Sequence, residues 1–249
     1  MDIAGCTFSL IFNPIPDIRR SLFKIEDCLE GYVKPFQLVP LPENAPLDLP
    51  RITATSEKKH SELLVTAQSA QVRTSFDEEY LHDIEKSLTY SQKKAEELLA
   101  ALTTMDDVAL MYAGLSTQIV FRQEDITDEP ASFIKNSYLK IDSDMQLFDA
   151  SAKIVYKVGD DCFLNLEVSR QFEVSPISIN VSPNSIAVNM GNPNPNQFLS
   201  IVVDFNNRLA FNEGHAAGCD HSTIEMLYSK IRDFASSGIN AFLEGKVKF

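Results

Sequence analysis

Three residues with the chemistry of metal ligands lie close together near the end of the chain. They are His215, Cys219 and His221, with Asp220 between the last two. Imidazole and thiolate are preferred ligands of Zn²⁺, and a structural zinc site takes four such ligands. The cluster therefore raises two hypotheses. One is a metal site, and the other is an active site in which a histidine activates the Cys219 thiol.

The sequence around this loop favours a structural interpretation instead. A fourth ligand would have to be His60, His82 or one of the other cysteines, all of them distant in sequence. A helix is predicted to begin directly after the loop, and the positive end of its dipole disfavours a cation. Asp220 or Ser222 is well placed as the N-cap of this helix, with Ser222 and Glu225 forming a capping box. We therefore expect no catalytic residue, no bound metal and no cofactor.

Two apolar segments must position this loop. Residues 198–205 form an apolar run that is typical of a buried strand. From Ser222 to about Glu244, apolar residues recur at helical spacing over one broad face. A face of this width favours packing against a sheet, and an oligomer interface is the alternative. Gly214 and Gly218 mark the loop between strand and helix.

The rest of the chain shows the same two periodicities. A long amphipathic helix is predicted for residues 77–102, with apolar residues in steps of three and four that are broken at Ser91. A shorter helix is predicted for residues 17–30. Further strands are predicted for residues 4–12, 51–56, 62–68, 70–76, 108–121, 147–158, 162–174, 177–181 and 186–190. The strand at 108–121 is expected to be interrupted at Gly114. Hairpin strands with one polar face indicate an antiparallel sheet. The predicted fold class is therefore α+β, a largely antiparallel sheet packed by two long amphipathic helices.

The order of these elements suggests two related halves. Residues 1–105 and residues 106–249 each run from strands to a closing helix, so we predict an N-terminal and a C-terminal α+β half, or one continuous domain made of both. The 249 residues are enough for one large domain or two small ones. Residues 35–50 carry five prolines and are expected to form an irregular crossover.

Charge and cysteine content limit the partners and the compartment. The formal net charge is −13, whereas binding to nucleic acid or to an anionic membrane needs Lys and Arg that neutralise phosphate. We therefore expect neither partner. No apolar run has the length of a transmembrane helix, and no secretory signal is visible. Four cysteines without a CxxC pair are typical of a reduced protein, so we expect a cytoplasmic location.

The absence of catalytic signatures favours binding over catalysis. The chain has no G-x-S-x-G elbow, Walker A loop, G-x-G-x-x-G or H-E-x-x-H. We predict a non-enzymatic binding protein that acts through protein–protein contacts and forms a homodimer. One alternative is a metal-dependent protein or enzyme that uses the loop of His215, Cys219 and His221. Another is an acidic mimic of nucleic acid that inhibits a basic partner.

Three stretches resemble a family of sporadically distributed, uncharacterised bacterial proteins. The first is the Pro-rich PFQLVPLPENAPLDLPRI around Phe36 to Arg51. The others are FLSIVVDFNNRL and IEMLYSKIRDFASSGINAFLEG, which are similar to the terminal strand and helix of that family. The resemblance implies a bacterial protein. It implies no activity and no catalytic residues, because the family has none assigned.

Overall fold

One antiparallel sheet of nine strands forms the centre of the molecule. The computed structural model describes residues 1–42, 44–126, 128–142, 145, 147–173, 178–182, 185–189, 196–215 and 218–246, with backbone only at 123, 178–182 and 185–189. The strands of the sheet are β1 (Asp2–Phe12), β2 (Gln37–Leu38), β3 (Ile52–Thr55), β4 (Ser61–Val65), β5 (Ser69–Ser75), β6 (Leu110–Arg122), β7 (Ser151–Val158), β8 (Cys162–Phe172) and β11 (Gln197–Asn206). A separate hairpin pairs β9 (Ser178–Ser182) with β10 (Ser185–Asn189).

The helices of the described chain differ widely in length. They are α1 (Leu22–Cys28), α2 (Glu78–Leu81), α3 (Ile84–Thr103), α4 (Pro130–Ile134), α5 (Arg208–Asn212), α6 (His221–Asp233) and α7 (Ile239–Leu243). The longest, α3, packs on β1 and β5, while α6 packs on β6 and β11, and the two helices contact each other. No helix among the described residues has the length and apolar character needed to cross a membrane.

The sheet has the same strand order on both sides of its middle. From the middle outward, the first half of the chain contributes β1, β5, β4, β3 and β2, and the second half contributes β6, β11, β8 and β7. In each half the first strand is innermost and the last strand lies next to it. The halves join where β1 pairs with β6. The sheet runs across this junction, and the division into two domains at residue 105 stays a prediction.

The core lies between the sheet and the two longer helices. Phe8 on β1 lies opposite Leu115 on β6, and both side chains are fully buried. Leu98 from α3 and Leu227 from α6 are buried in the same cluster. Burial of each such side chain contributes about 1.5–3 kcal/mol, so this layer is the main source of stability.

The fold class is confirmed as α+β with a large antiparallel sheet. The prediction of two long amphipathic helices is not confirmed, because α3 is the one long helix among the described residues. The helix predicted for 77–102 is divided into α2 and α3. It restarts because Asp83, like Asp77 before α2, accepts a hydrogen bond from a backbone N–H of the following turn. The helix predicted for Ser222 to Glu244 consists of α6, a π-helical turn (Phe234–Gly238) and α7.

Other sequence predictions need smaller corrections. Gly114 does not interrupt its strand, because β6 runs through it from Leu110 to Arg122. The short helices α4 and α5 were not predicted, since neither is long enough to show a helical period. The turn predicted between β9 and β10 lies mostly outside the described residues.

Arg51 organises the Pro-rich segment that leads into β3. Its side chain is 5% exposed, and its guanidinium group donates hydrogen bonds of 3.0 to 3.3 Å. The acceptors are the carbonyl oxygens of Ala45, Pro46, Leu47 and Leu49. A proline-rich chain has few N–H donors of its own, so a side chain supplies the bonds that the carbonyl groups need.

Candidate functional site

The predicted ligand loop is built as the start of a helix. Asp220 is the N-cap of α6, and its Oδ1 accepts a hydrogen bond of 2.9 Å from the backbone N–H of Thr223. The hydroxyl of Thr223 accepts in return from the backbone N–H of Asp220 at 3.3 Å. The capping box is therefore formed by Asp220 and Thr223, and the predicted pair of Ser222 and Glu225 is wrong.

The three candidate ligands of this loop have separate environments. His221 pairs with Glu225 at 3.5 Å, and both side chains are mostly exposed. His215 lines a cavity of about 600 Å³ beside α6. Burial raises the pKa of Cys219 to about 12, so without a metal ion the thiol is neutral at physiological pH and is a poor nucleophile.

The structure does not assemble a metal site from these residues. No group of three or more His, Cys, Asp and Glu side chains in the described part of the chain is arranged to hold a metal ion. The two histidines considered as a fourth ligand are engaged elsewhere. His60 lies 3.7 Å from Asp77, and His82 lies 2.8 Å from Asp2.

The face of the sheet opposite α3 and α6, here called the open face, carries polar side chains that are partly exposed. On β6, Ser116 and Gln118 point to this face, while Thr117 and Ile119, which alternate with them, are buried on the helix side. The strands β1, β8 and β11 alternate in the same way. In the part of the chain that the structure describes, this face lies away from α3 and α6, and its polar character follows directly from the period of two.

Hydrogen bonds hold the polar side chains of the open face in place. The Nε2 atom of Gln118 donates to Ser200 Oγ at 3.0 Å and to Gln171 Oε1 at 3.4 Å. Further along the face, Asn165 Nδ2 donates to Asp204 Oδ1 at 2.9 Å. These groups lie on three neighbouring strands, so the pattern of donors and acceptors is fixed before any partner arrives.

A cavity of about 890 Å³ lies at one end of the open face. We call it the end cavity. Its lining comes from β1, β6, β8 and β11 and from the chain next to them: Asp2, Ala4, Leu81, Gln118, Val120, Arg122, Glu124, Gln171, Glu173, Asn196, Gln197 and Phe198. A smaller hollow of about 220 Å³ lies further along the same face, between Ser116, Lys153, Asn165, Glu167, Val202 and Asp204.

Asp2 is the buried charge of the end cavity. It is 6% exposed, and its Oδ1 lies 2.8 Å from Nδ1 of His82. Its Oδ2 lies 3.5 Å from Nε of Arg122. A carboxylate that orients a histidine is one part of a hydrolytic triad. None of the described residues that line the end cavity carries a hydroxyl or thiol group, so these residues offer no side-chain nucleophile beside the pair.

The alternation of apolar and polar residues predicts the polar side chains of the open face, although the sequence has no motif there. The alternation in β8 predicts that Asn165 and Gln171 share one polar face, and the structure confirms it. The contact of Gln171 with Gln118 depends on strand order, because the two residues lie 53 positions apart on β8 and β6, with β11 between these strands. Asp2 was not predicted as a site residue, and His82 was considered only as a possible fourth ligand of the metal hypothesis.

Comparison with known proteins adds no family or relative. No protein-family model matches the chain, and no curated protein matches it significantly. The resemblance to the uncharacterised bacterial family therefore stays a prediction.

Proposed function

We propose that this chain is a non-enzymatic binding protein that acts through protein–protein contacts, with the open face of its sheet as the recognition surface. The observation that carries the proposal is the pair of half-buried amides Gln118 and Gln171 on that face, which are held by a hydrogen bond to each other and by one from Gln118 to the buried Ser200. Side chains fixed by their own hydrogen bonds lose little conformational freedom on binding, which favours recognition.

The charge of the molecule supports a protein as the partner. With a net charge of −13, the chain repels the phosphates of nucleic acids and of anionic membranes. The open face itself carries both signs, for example Lys153 beside Glu167 with 4.0 Å between Nζ and Oε2. A mixed polar surface of this kind fits a protein surface better than a polyanion.

The chemistry of the thiols supports binding rather than catalysis. Burial raises the pKa of Cys6 and of Cys162 to about 11, and that of Cys219 to about 12. These thiols are therefore neutral at physiological pH. All four cysteines of the chain are free, which supports a reducing compartment such as the bacterial cytoplasm.

The proposal includes a homodimer formed through strand β7. This strand is an edge of the sheet and has eight residues, whereas the opposite edge strand, β2, has two. Exposed apolar side chains lie on β7 and in the segment before it, with Val155 at 54% and Phe148 at 81% exposure. An edge strand offers unpaired backbone groups to a second strand, and apolar neighbours add surface to bury.

A substitution in the middle of the open face tests the recognition surface. Val202→Arg places a long charged side chain in the smaller hollow, while Ala100→Arg makes the same change on the exposed surface of α3. Both variants should keep the wild-type circular dichroism spectrum. Affinity capture followed by quantitative mass spectrometry should recover the same partner with wild type and Ala100→Arg and lose it with Val202→Arg. Equal recovery by both variants, or none by wild type, contradicts the proposal.

A second experiment tests the homodimer. Light scattering of the wild-type protein at micromolar concentration should give twice the mass of one chain. Val155→Asp puts a charge on the edge strand and should shift the protein to monomer, because two copies would bring two such charges together. A monomeric wild type, or a dimer that withstands Val155→Asp, excludes pairing through β7.

A further inference from the structure

We infer that the end cavity binds a basic side chain, arginine or lysine, of the protein partner. This inference rests on the proposed function, since it assigns a ligand to part of the same open face. The argument combines the charges that surround the cavity, the apolar atoms that line it, and the hydrogen-bond acceptors that point into it.

The charges of the end cavity do not balance. Its lining contains three carboxylates, Asp2, Glu124 and Glu173, and a single cation, Arg122. Arg122 is engaged with Asp2 at 3.5 Å, and His82 binds the other oxygen of that carboxylate. Among the described residues, no basic group lies within ion-pair distance of Glu124 or Glu173. Within the described part of the chain, these two carboxylates therefore have no counter-charge.

Glu173 is held in position by a neutral neighbour. The Nδ2 atom of Asn196 donates to Glu173 Oε2 at 2.7 Å, and the backbone N–H of Glu173 donates to the carbonyl of Asn196 at 2.8 Å. This reciprocal pair orients the carboxylate without neutralising it. A cation that enters the end cavity would meet an acceptor that is already placed.

The apolar part of the lining suits the stem of a long basic side chain. Val120 and Phe198 lie on adjacent strands, two positions from being directly paired, and Leu81 contributes from α2. Arginine and lysine bury their methylene groups on such surface while the charged end reaches polar groups. The Phe198 ring can also attract a cation placed over its face.

The volume and the acceptors fit a side chain that arrives with part of its backbone. The cavity of about 890 Å³ exceeds the volume of one side chain, and amide groups of Gln118 and Gln171 line the same space. Amide side chains both donate and accept, as a peptide backbone requires. A basic segment of a protein partner therefore satisfies the carboxylates, the apolar wall and the amides together.

A matched pair of short peptides tests this assignment on the full-length protein. The first is acetyl-Gly-Arg-Gly-amide, and the second carries citrulline, which has nearly the shape of arginine without its charge. In ¹H–¹⁵N NMR titrations the arginine peptide should move the backbone signals of Gln118, Val120 and Gln171 in a saturable way. The citrulline peptide should not, and high salt should weaken the shifts.

Paired substitutions distinguish binding at the end cavity from attraction by the negative charge of the whole protein. Glu124→Gln with Glu173→Gln should weaken binding of the arginine peptide about fivefold, as expected for two exposed ion pairs. Glu57→Gln with Glu62→Gln removes the same charge elsewhere and should leave the affinity unchanged. Equal shifts with citrulline, no shift with arginine, or equal weakening by both pairs overturns the inference. In each of these cases a partner lost only by Val202→Arg would still support the proposed function.

Discussion

The hydroxyl groups of Ser91 and Tyr228 lie 2.8 Å apart in the core, one on α3 and the other on α6. Their side chains belong to residues that are 1% and 0% exposed. The two helices belong to different halves of the chain, so this hydrogen bond links the halves above the junction of β1 and β6. A buried polar pair of this kind fixes how two apolar surfaces align, because a shift would break a hydrogen bond that water cannot replace.

Tyr228→Phe should destabilise the protein by about 1–3 kcal/mol, because it leaves the Ser91 hydroxyl buried without this partner. Urea unfolding followed by circular dichroism measures the change. Adding Ser91→Ala should recover part of the loss, which a double-mutant cycle detects as coupling between the two positions. Ser229→Ala, on the exposed side of the same helix, should change the stability by less than about 0.5 kcal/mol. Additive effects of the two core substitutions would contradict a direct interaction.

Cys6 should make the protein less stable in alkali. Burial raises the pKa of its thiol from 9.0 to about 11, although the hydroxyls of Thr117, Ser91 and Thr74 act in the opposite direction. The pKa of Cys6 is higher in the folded state than in the unfolded state. The stability that the neutral thiol contributes is therefore fully present below the unfolded-state pKa and is lost as the pH rises through the folded-state pKa. The window is therefore pH 9 to 11, and the loss should reach about 2–3 kcal/mol.

Cys6→Ala provides the comparison for this pH dependence. The variant lacks the thiol, so its stability should fall less than that of the wild type across the same window. Unfolding in urea at a series of alkaline pH values gives the difference directly. A difference between the two proteins that stays constant from neutral pH through the window would exclude titration of Cys6 as its cause.

Arg51→Ala should cost about 1.5–3 kcal/mol, since four carbonyl groups of the Pro-rich segment, that of the buried Ala45 among them, lose a charged donor together. The same variant should be cut faster by proteases within residues 44–50, which limited proteolysis with mass spectrometry can locate. Arg51→Lys keeps the charge but has fewer donors, so its effect should be intermediate. Arg20→Ala is the control, because Arg20 forms an exposed ion pair with Asp17 at 3.3 Å.

Two glycines of the sheet should respond differently to alanine. A Cβ atom at Gly5 would overlap the carbonyl oxygen of Thr74, which belongs to the paired backbone of β5. At Gly114 it would meet the Cβ of Asn206 at 3.1 Å, so the paired strand has to shift by only a few tenths of an ångström. Gly5→Ala should therefore destabilise by more than about 2 kcal/mol, and Gly114→Ala by less than about 1 kcal/mol. Thermal unfolding of the two variants side by side tests the order.

The strands and the fold class could be predicted because alternation is a local property. Residues 162–172 show buried and polar positions in turn, and they form β8 as expected. The break between α2 and α3 could not be predicted in the same way. Leu81 and Ile84 keep the helical spacing across it, and only the cap at Asp83 separates the two helices.

The open face and the core contact between helices depend on strand order and on pairs far apart in the chain. Ser91 was predicted only as a gap in an apolar seam, and its partner Tyr228 lies 137 positions away. Asp2 and His82 are 80 positions apart and meet at the end cavity. The spacing of residues within one element carries no information about contacts between distant elements. His215 and Cys219 were predicted as candidate ligands only because they are close in sequence.

The unequal edges of the sheet decide what kind of assembly it can form. A sheet with a long free edge at each end can add copies at both ends and extend into a filament. Here β7 is long, while β2 ends the other side after two residues. Strand pairing between copies would therefore use the β7 edge once on each chain and stop at two. In the proposed dimer, the described sheet would therefore have no second long edge to which a further copy could add.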